Sequence, residues 1–432
     1  MSLVCIGSLS ADIVFDSEEA RLVLSTGASL HYDSAGADSF SKGIIRHNRA
    51  SNFTGNAWDV NYLVVEESPG VYARLSNVTY DPTVQTEGLG TTPLITMLGG
   101  GTIHAVNGFS LYNLSISGSG NTLSGAPQFR STIELDPDTE ITLALTGPLT
   151  ANMVLNNTVV TVESDLIFKN AHFEGVGTII GDTNLIQLDE YLGSPLLSTL
   201  TWQNCYNMQL RGNAALASDW TFTGNCRFDA NGSWLDLRPG GRLIIAPNTS
   251  VVLRDLVIKG VAGGEDLNII FEEPGEGQEY GHLFLEGCRL EFASSVTFTH
   301  GAVEITGDTM FVIKNNNVTF EGDSLLTVSA AVLSLNVLSN TSSPYTGTVY
   351  APNPIYNNDH EKLVSNIAAN IVAGNLILSS GGIITEINGA LSVVSGGGGG
   401  GFSVDTGGFL APESVLLYEE DAEVDGAGSR VM

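Results

Sequence analysis

Clustered carboxylates are the residues of this chain whose types and spacing most directly suggest chemistry. Glu265, Asp266, Glu272 and Glu273 lie in an acidic segment over residues 263–281 that is also rich in glycine. Carboxylate oxygens are the hard ligands that Ca²⁺ prefers, so these four residues are a candidate calcium site. The segment matches neither an EF-hand nor a nonapeptide calcium repeat, and a solvated acidic loop is the competing interpretation.

Groups that could carry catalysis are scattered along the chain. A polysaccharide hydrolase needs two carboxylates that act as acid and base or nucleophile. Asp136-Pro-Asp138 has a suitable composition, but this sequence is typical of a turn. The seven histidines, His282 and His300 among them, lack metal-ligand spacing. Nucleophile-elbow, HExxH and Walker-type patterns are absent, so we predict no catalytic residues and no cofactor apart from Ca²⁺.

Three cysteines recur at a spacing that predicts the elements around them. Cys205, Cys226 and Cys288 lie 21 and 62 residues apart, so multiples of about 20.7 residues separate them. Each follows an apolar alternation that ends in a turn-forming Asn or Gly. A fixed period near 20 with strand-like content predicts stacked coils. We expect the three cysteines to form one buried column of reduced thiols rather than disulfides.

The segment from Gly232 to Gly260 shows the predicted coil most clearly. Short runs with alternate apolar residues are separated by turns at Arg238–Gly241 and Ala246–Ser250. This pattern is typical of narrow β-coils whose inward residues line a core. The residues predicted to point inward are Leu235, Leu237, Leu243, Ile245, Val251, Leu253, Leu256 and Ile258. The fold class that follows is an all-β parallel β-solenoid with about 20–21 residues per coil.

Asparagines between strand-like runs are predicted to form the corners of the coils. Asn170, which separates Leu166–Lys169 from Phe173, is one example. Asparagine tolerates the left-handed backbone conformation that a sharp corner needs.

The coils are expected to occupy most of the chain. The predicted organisation is an N-terminal cap (1–20), a β-solenoid (21–395) with irregular insertions near 32–60 and 263–281, a glycine linker (396–401) and an acidic C-terminal tail (402–432). Within the tail, Phe402–Val404 and Val415–Tyr418 have strand-like composition. A capping-box arrangement at Asn358 and Glu361, followed by apolar residues at helical spacing, predicts one helix that ends near Gly374.

The charge balance excludes several classes of partner. The formal net charge is −30, from 47 acidic and 17 basic residues. Nucleic-acid binding requires Lys and Arg to displace counterions, so we predict no nucleic-acid partner. Anionic membrane surfaces and acidic polysaccharides would be repelled. No stretch reaches the roughly 20 apolar residues of a transmembrane helix, and the amino terminus lacks the basic region and apolar core of a complete secretory signal.

Over most of residues 20–395, these coils, corners and period resemble those of right-handed parallel β-helices of the pectin-lyase-like superfamily. The resemblance concerns architecture, and it implies polysaccharide lyases and hydrolases, tailspikes and adhesins as relatives. We hypothesise a non-catalytic structural or adhesive protein, extracellular or on a cell surface, with a carbohydrate or host-surface ligand. The alternatives are a polysaccharide-active hydrolase or lyase, and a self-assembling fibre subunit that forms homo-oligomers through its solenoid ends or C-terminal tail.

Overall fold

The computed structural model shows an all-β parallel β-solenoid of stacked coils, which confirms the predicted fold class. The structure describes residues 2–4, 17, 19–32, 40–48, 52–55, 58–68, 71–81, 94–105, 110–111, 114–130, 132–189, 196–307, 309–313, 316–335, 348–351, 355–357, 362–365, 370–373, 376–378, 383–387, 390–393, 402–404, 409–410 and 415–418. Within these ranges no helix is long and apolar enough to cross a membrane.

The strands are short and follow one another closely along the chain. The first strands are β1 (Ser2–Val4), β2 (Arg21–Leu24), β3 (Ser29–Tyr32), β4 (Phe40–Asn48), β5 (Asn52–Gly55), β6 (Trp58–Ser68), β7 (Val71–Asp81), β8 (Leu94–Ala105), β9 (Ser110–Leu111), β10 (Leu114–Ile116), β11 (Asn121–Gly125), β12 (Gln128–Phe129), β13 (Ile133–Leu135), β14 (Glu140–Leu145), β15 (Met153–Val162), β16 (Leu166–Lys169), β17 (Phe173–Asp182) and β18 (Ile186–Asp189).

The central strands are β19 (Thr199–Cys205), β20 (Met208–Arg211), β21 (Ala214–Ala215), β22 (Asp219–Thr223), β23 (Asn225–Asp229), β24 (Trp234–Asp236), β25 (Arg242–Ile245), β26 (Ser250–Arg254), β27 (Val257–Val261), β28 (Ile269–Phe271), β29 (His282–Glu286), β30 (Arg289–Phe292), β31 (Val296–Phe298), β32 (Ala302–Gly307), β33 (Met310–Val312), β34 (Asn317–Phe320) and β35 (Leu325–Leu335). A single 3₁₀ turn, η1 (Gly264–Asp266), is the only helical element within the described ranges.

The last strands are β36 (Thr348–Ala351), β37 (Ile355–Asn357), β38 (Lys362–Ser365), β39 (Asn370–Ala373), β40 (Leu376–Leu378), β41 (Ile383–Ile387), β42 (Ala390–Val393), β43 (Phe402–Val404), β44 (Phe409–Leu410) and β45 (Val415–Tyr418). The two strands predicted in the tail, β43 and β45, are confirmed.

The chain divides into two compact units. Unit 1 comprises residues 1–190 and 198–200. Its strands pair in parallel from β8 through β10, β13, β15 and β17, and Val154 lies opposite Glu174 on the next coil. One departure from the parallel pattern was not predicted, because β7 pairs antiparallel with both β6 and β8.

Unit 2 comprises residues 191–197 and 201–432, and its coils over residues 219–312 are built from three strands each. The first ladder joins β22, β25 and β28, the second joins β23, β26, β29 and β32, and the third joins β24, β27, β30 and β33. All of these pairings are parallel. Equivalent residues of successive coils therefore stack about 4.8 Å apart.

Alternate residues of each strand form the core. The eight residues that were predicted to point inward between Gly232 and Gly260 are all buried, with at most 2% of their surface exposed. Burial of such an aliphatic side chain stabilises a fold by roughly 1.5–3 kcal/mol. Trp202 and Trp220 are also fully buried, with ring centroids 5.4 Å apart.

The corners contain the left-handed residues that the sequence predicted. Asn170 has φ 55° and Asn204 has φ 51°. On the next coil the equivalent corner is Gly224, with φ 70°, where an added Cβ would lie 2.0 Å from Asn204 Oδ1. Only glycine fits there, because the left-handed backbone and the side chain of the preceding corner both exclude a Cβ.

The three cysteines are buried and form no disulfide, but they do not form one column. Cys226 stacks on Val251 and then Leu283, whereas Cys288 immediately precedes β30 and occupies the position equivalent to Leu256. The prediction of a common column was wrong. Asn225 precedes Cys226 and Gly287 precedes Cys288, but these turn residues lie at two different corners of the coil. The sequences around the two cysteines are therefore similar although their positions are not equivalent.

The coil length also varies more than the cysteine spacing suggested. Val154 lies opposite Glu174 on the adjacent coil of unit 1, whereas Val251 lies opposite Leu283 on the adjacent coil of unit 2. The second of these coils is much longer, because it includes η1 and the rest of the acidic loop. The spacing between Cys226 and Cys288 therefore arises from two long coils and a change of corner.

Two predicted irregular insertions contain coil strands. In residues 32–60, β4 and β5 pair in parallel with β2 and β3. In residues 263–281, the strand β28 is buried in the core and pairs with β25. Alternating apolar residues in these segments override the turn-rich composition of their surroundings.

The predicted helix near residues 358–374 is wrong. The strands β38 and β39 occupy this segment and pair in parallel with β35 and β36. Backbone hydrogen bonds to the neighbouring coils favour strands over a helix in this segment. The glycine linker (396–401) lies outside the described residues. Of the cap (1–20), β1 pairs with β2 and most other residues lie outside the description, so a capping role stays a prediction.

Candidate functional site

The outward side chains of unit 2 form columns in which charges alternate from coil to coil. On the second ladder, Asp229 is in register with Arg254, which is in register with Glu286. On the third ladder, Asp236, Lys259 and Glu291 form an equivalent series. We call these two series the charge columns. Like charges directly opposite one another destabilise a sheet, so alternation is the arrangement that a parallel ladder favours.

Arginines pair with the carboxylates of the second ladder. Arg227 Nε lies 3.3 Å from Asp229 Oδ1, and Arg227 Nη2 lies 3.7 Å from Glu286 Oε2. Arg254 Nε lies 3.8 Å from the same Glu286 oxygen. Asp229 and Glu286 are thus at most about 9 Å apart, because one guanidinium contacts both. This separation suits paired-carboxylate chemistry, but the guanidinium lies between the two groups, where a glycosidic oxygen would have to bind.

The third and first ladders are paired in the same way. Arg238 Nε donates to Asp236 Oδ1 at 2.8 Å, and this hydrogen bond lowers the pKa of the Asp236 carboxyl. Arg242 Nε donates to Asp219 Oδ1 at 2.6 Å across adjacent coils. Asp236 and Asp219 are thus paired with arginines of the protein, so they are poor candidates for catalysis on a bound substrate.

A different surface lies beside the charge columns, where residues of two adjacent coils form two ring stacks. Tyr280 and His300 stack with ring centroids 5.3 Å apart and an interplanar angle of 6°. His282 and Phe284 stack at 4.0 Å. We call these four residues the ring patch. The small Ala302 is in register with His282, so no large side chain stands beside that imidazole on the next coil.

Three carboxylates contact the ring patch. Glu304 Oε2 lies 3.4 Å from His282 Nε2, although not in hydrogen-bond geometry. Glu273 Oε1 lies 3.6 Å from His300 Nε2. Tyr280 Oη donates to Asp323 Oδ2 at 3.4 Å. The patch therefore combines ring faces with carboxylate acceptors.

The ring patch is partly exposed, so a ligand can reach it. The side chains of His282, His300 and Glu304 are 35%, 32% and 21% exposed, and Glu273 is 81% exposed. Partial burial lowers the pKa of His282, with Glu304 acting in the opposite direction. Desolvation and then the Asp323 carboxylate raise the pKa of the Tyr280 phenol.

Backbone geometry around the acidic loop holds the ring patch in place. Asn248 and Glu279 exchange two hydrogen bonds, from Asn248 N to Glu279 O at 2.9 Å and from Glu279 N to Asn248 Oδ1 at 2.8 Å. Gly301, next to His300, has φ 84°, and an added Cβ there would lie 2.2 Å from Phe271. Glycine is required at this position because a core ring packs directly against the backbone.

The four predicted calcium ligands are not brought together. Glu265 and Asp266 lie on η1, before the core strand β28, whereas Glu272 and Glu273 follow that strand, and all four are exposed. Within the described residues no group of three or more His, Cys, Asp or Glu side chains is arranged to hold a metal ion. Calcium binding by these residues stays a prediction.

The ring patch was missed because its histidines were judged by metal-ligand spacing. The useful signal is the coil period. Tyr280 and His300 are separated by one coil of this part of unit 2, and Phe284 and Glu304 are in register on the same two coils. A search for aromatic and polar residues separated by one period would have found both pairs. Comparison of the chain with models of known families, with curated proteins and with solved structures finds no match.

Proposed function

We propose that this protein is a non-catalytic adhesive β-solenoid, extracellular or on a cell surface, which binds a carbohydrate through the ring patch. The observation that carries the proposal is two ring stacks at the outer surface of unit 2, one across adjacent coils and one within β29, with carboxylates beside them. Sugars present apolar C–H faces that pack on rings and hydroxyl groups that donate to carboxylates.

The charge columns support a binding role over a catalytic one. Asp229 and Glu286 are at most about 9 Å apart, no farther than the carboxylates of an inverting glycosidase, but Arg227 contacts both. Asp219, Asp236 and Glu291 on these ladders also contact arginines. A polysaccharide-active enzyme is the second candidate, and the separation of Asp229 and Glu286 is the observation that favours it.

A glycan array combined with a reducing-sugar assay separates the two candidates. We expect wild-type protein to bind a subset of glycans without releasing reducing ends. Tyr280→Ala should abolish this binding, whereas Tyr206→Ala should retain it, because Tyr206 is an exposed tyrosine at a different corner. Sustained cleavage that is lost in Asp229→Asn or Glu286→Gln would establish the enzyme instead.

A further inference from the structure

We infer that the ring patch selects amino sugars whose amine is free and protonated, over N-acetylated sugars and uronates. This inference rests on the proposed carbohydrate binding and names the ligand class of the same site. Three properties of the molecule support it: the pairing of nearby carboxylates, the electrostatics of the rings and the charge of the surrounding loop.

Carboxylates at the ring patch have different partners from the other carboxylates on and beside the ladders. Within the described part of unit 2, six carboxylates on or beside the ladders lie within ion-pair distance of an arginine: Asp219, Asp229, Asp236, Asp255, Glu286 and Glu291. Glu273, Glu304 and Asp323 contact rings of the patch instead. No Lys or Arg of the described residues is paired with these three carboxylates, so a ligand can supply the cation.

The rings themselves favour a cation. An ammonium group is attracted to the face of a tyrosine or phenylalanine, and the attraction contributes severalfold to affinity even at exposed sites. Tyr280 and Phe284 provide such rings beside Asp323 and Glu304. Because burial lowers the pKa of His282, its imidazole is neutral at pH 7 and does not compete with the ligand's charge.

The surroundings reject anionic ligands. The loop that carries Glu273 also carries Glu272, Glu276 and Glu279, all exposed. The whole chain has a formal charge of −30. A uronate or sulfated sugar would be repelled by this field, whereas a protonated amine would be attracted. N-acetylation removes that positive charge and leaves only ring stacking and hydroxyl hydrogen bonds.

Calorimetric titration with three tetrasaccharides of glucosamine, N-acetylglucosamine and galacturonic acid tests the inference at pH 7 and low ionic strength. We expect the glucosamine tetramer to bind at least about tenfold more tightly than the N-acetylated one, a difference of about 1.4 kcal/mol. The galacturonate tetramer should not bind. Glu304→Gln and Glu273→Gln should each reduce the preference for the amino sugar severalfold, because each weakens binding of the glucosamine tetramer more than binding of the N-acetylated one.

Matched variants separate contact from general electrostatics. Glu272→Gln removes the same charge from the adjacent loop position, and it should leave the preference unchanged. An equal loss in Glu272→Gln and Glu273→Gln would overturn the inference. Equal affinity for the amino and N-acetylated tetramers would also overturn it, while leaving the proposed function in place. Absence of binding to all neutral and amino sugars would contradict the proposed function itself.

Discussion

The charge columns and the ring patch share the ladders and loops of unit 2 but satisfy their polar groups differently. In the charge columns, Asp229, Arg254 and Glu286 alternate in sign over three coils. At the ring patch, Tyr280 stacks on His300, and the neighbouring carboxylates contact rings instead of arginines. The columns complete their interactions within the protein, whereas the patch leaves ring faces and negative charge available.

This difference shows what a parallel ladder demands of its outer surface. Register places each outward side chain directly against an equivalent position on the next coil. Opposite charges or stacked rings both satisfy that constraint. Only stacked rings leave partly exposed apolar faces that a ligand can contact. The ring patch is therefore the better candidate for a binding surface.

The largest expected effect comes from the core beneath these surfaces. Trp220 is 1% exposed and packs against Trp202 and Phe228. We expect Trp220→Ala to lower the free energy of unfolding by about 3–5 kcal/mol, through lost burial and the resulting cavity. Urea denaturation measures this change. Trp234→Ala, on the outer surface beside Lys259, is the matched control and should cost less than half as much; equal losses would contradict the assignment of inward and outward faces.

The charge columns can be broken by reversing one sign. Arg254→Glu places three negative charges in register, with Asp229 and Glu286 on either side. We expect a loss of about 1–2 kcal/mol in the free energy of unfolding, because two favourable neighbours become unfavourable. Denaturation at low and high salt checks this, since added salt should reduce the loss. A second change, Glu286→Arg, should restore part of the stability, and failure to do so would argue against the register.

At the ring patch, loss of a charge should weaken ligand binding and leave the stability of the fold nearly unchanged. Glu304→Gln should change the free energy of unfolding by less than about 0.5 kcal/mol, because its contact with His282 is partly exposed and is not a hydrogen bond. The same variant should weaken binding of the glucosamine tetramer. Thermal denaturation and calorimetry together test this separation. A large loss of stability in Glu304→Gln would show that the patch is structural, as the charge columns are.

The smallest expected effect is a pH dependence from His282. Burial lowers its pKa in the folded state, so the unfolded chain binds more protons near the ordinary histidine value of about 6.5. The stability that the neutral imidazole contributes is fully present above that value, and it is lost as the pH falls toward the folded-state pKa. Between pH 7 and pH 5, the melting temperature of wild type should fall slightly more than that of His282→Gln. An identical pH dependence of the two proteins would contradict this prediction.

Much of the fold could be predicted because a solenoid repeats simple local rules. Alternate apolar residues such as Leu235 and Leu237 mark the inward positions, and Asn170 marks a corner. Coil length could not be predicted, because loops of different size join strands with the same pattern. The common column of Cys226 and Cys288 failed for this reason. The helix near residues 358–374 failed because partners on neighbouring coils determine the structure there.

The candidate site was harder to predict than the fold. Its residues come from a loop and two coils, and their proximity depends on register. Tyr280 and His300 carry no motif, and only the local length of the coil brings them together. Glu273 was singled out for its charge, but its contact is with His300 rather than with the other predicted calcium ligands.

The most direct test of the central claim is an NMR titration of the histidine imidazoles with the glucosamine tetramer. Binding at the ring patch should shift the resonances of His282 and His300, which lie in its two ring stacks. His172, which pairs with Glu174 in unit 1, serves as the internal reference and should not move. Saturable binding that leaves His282 and His300 unshifted would contradict the account.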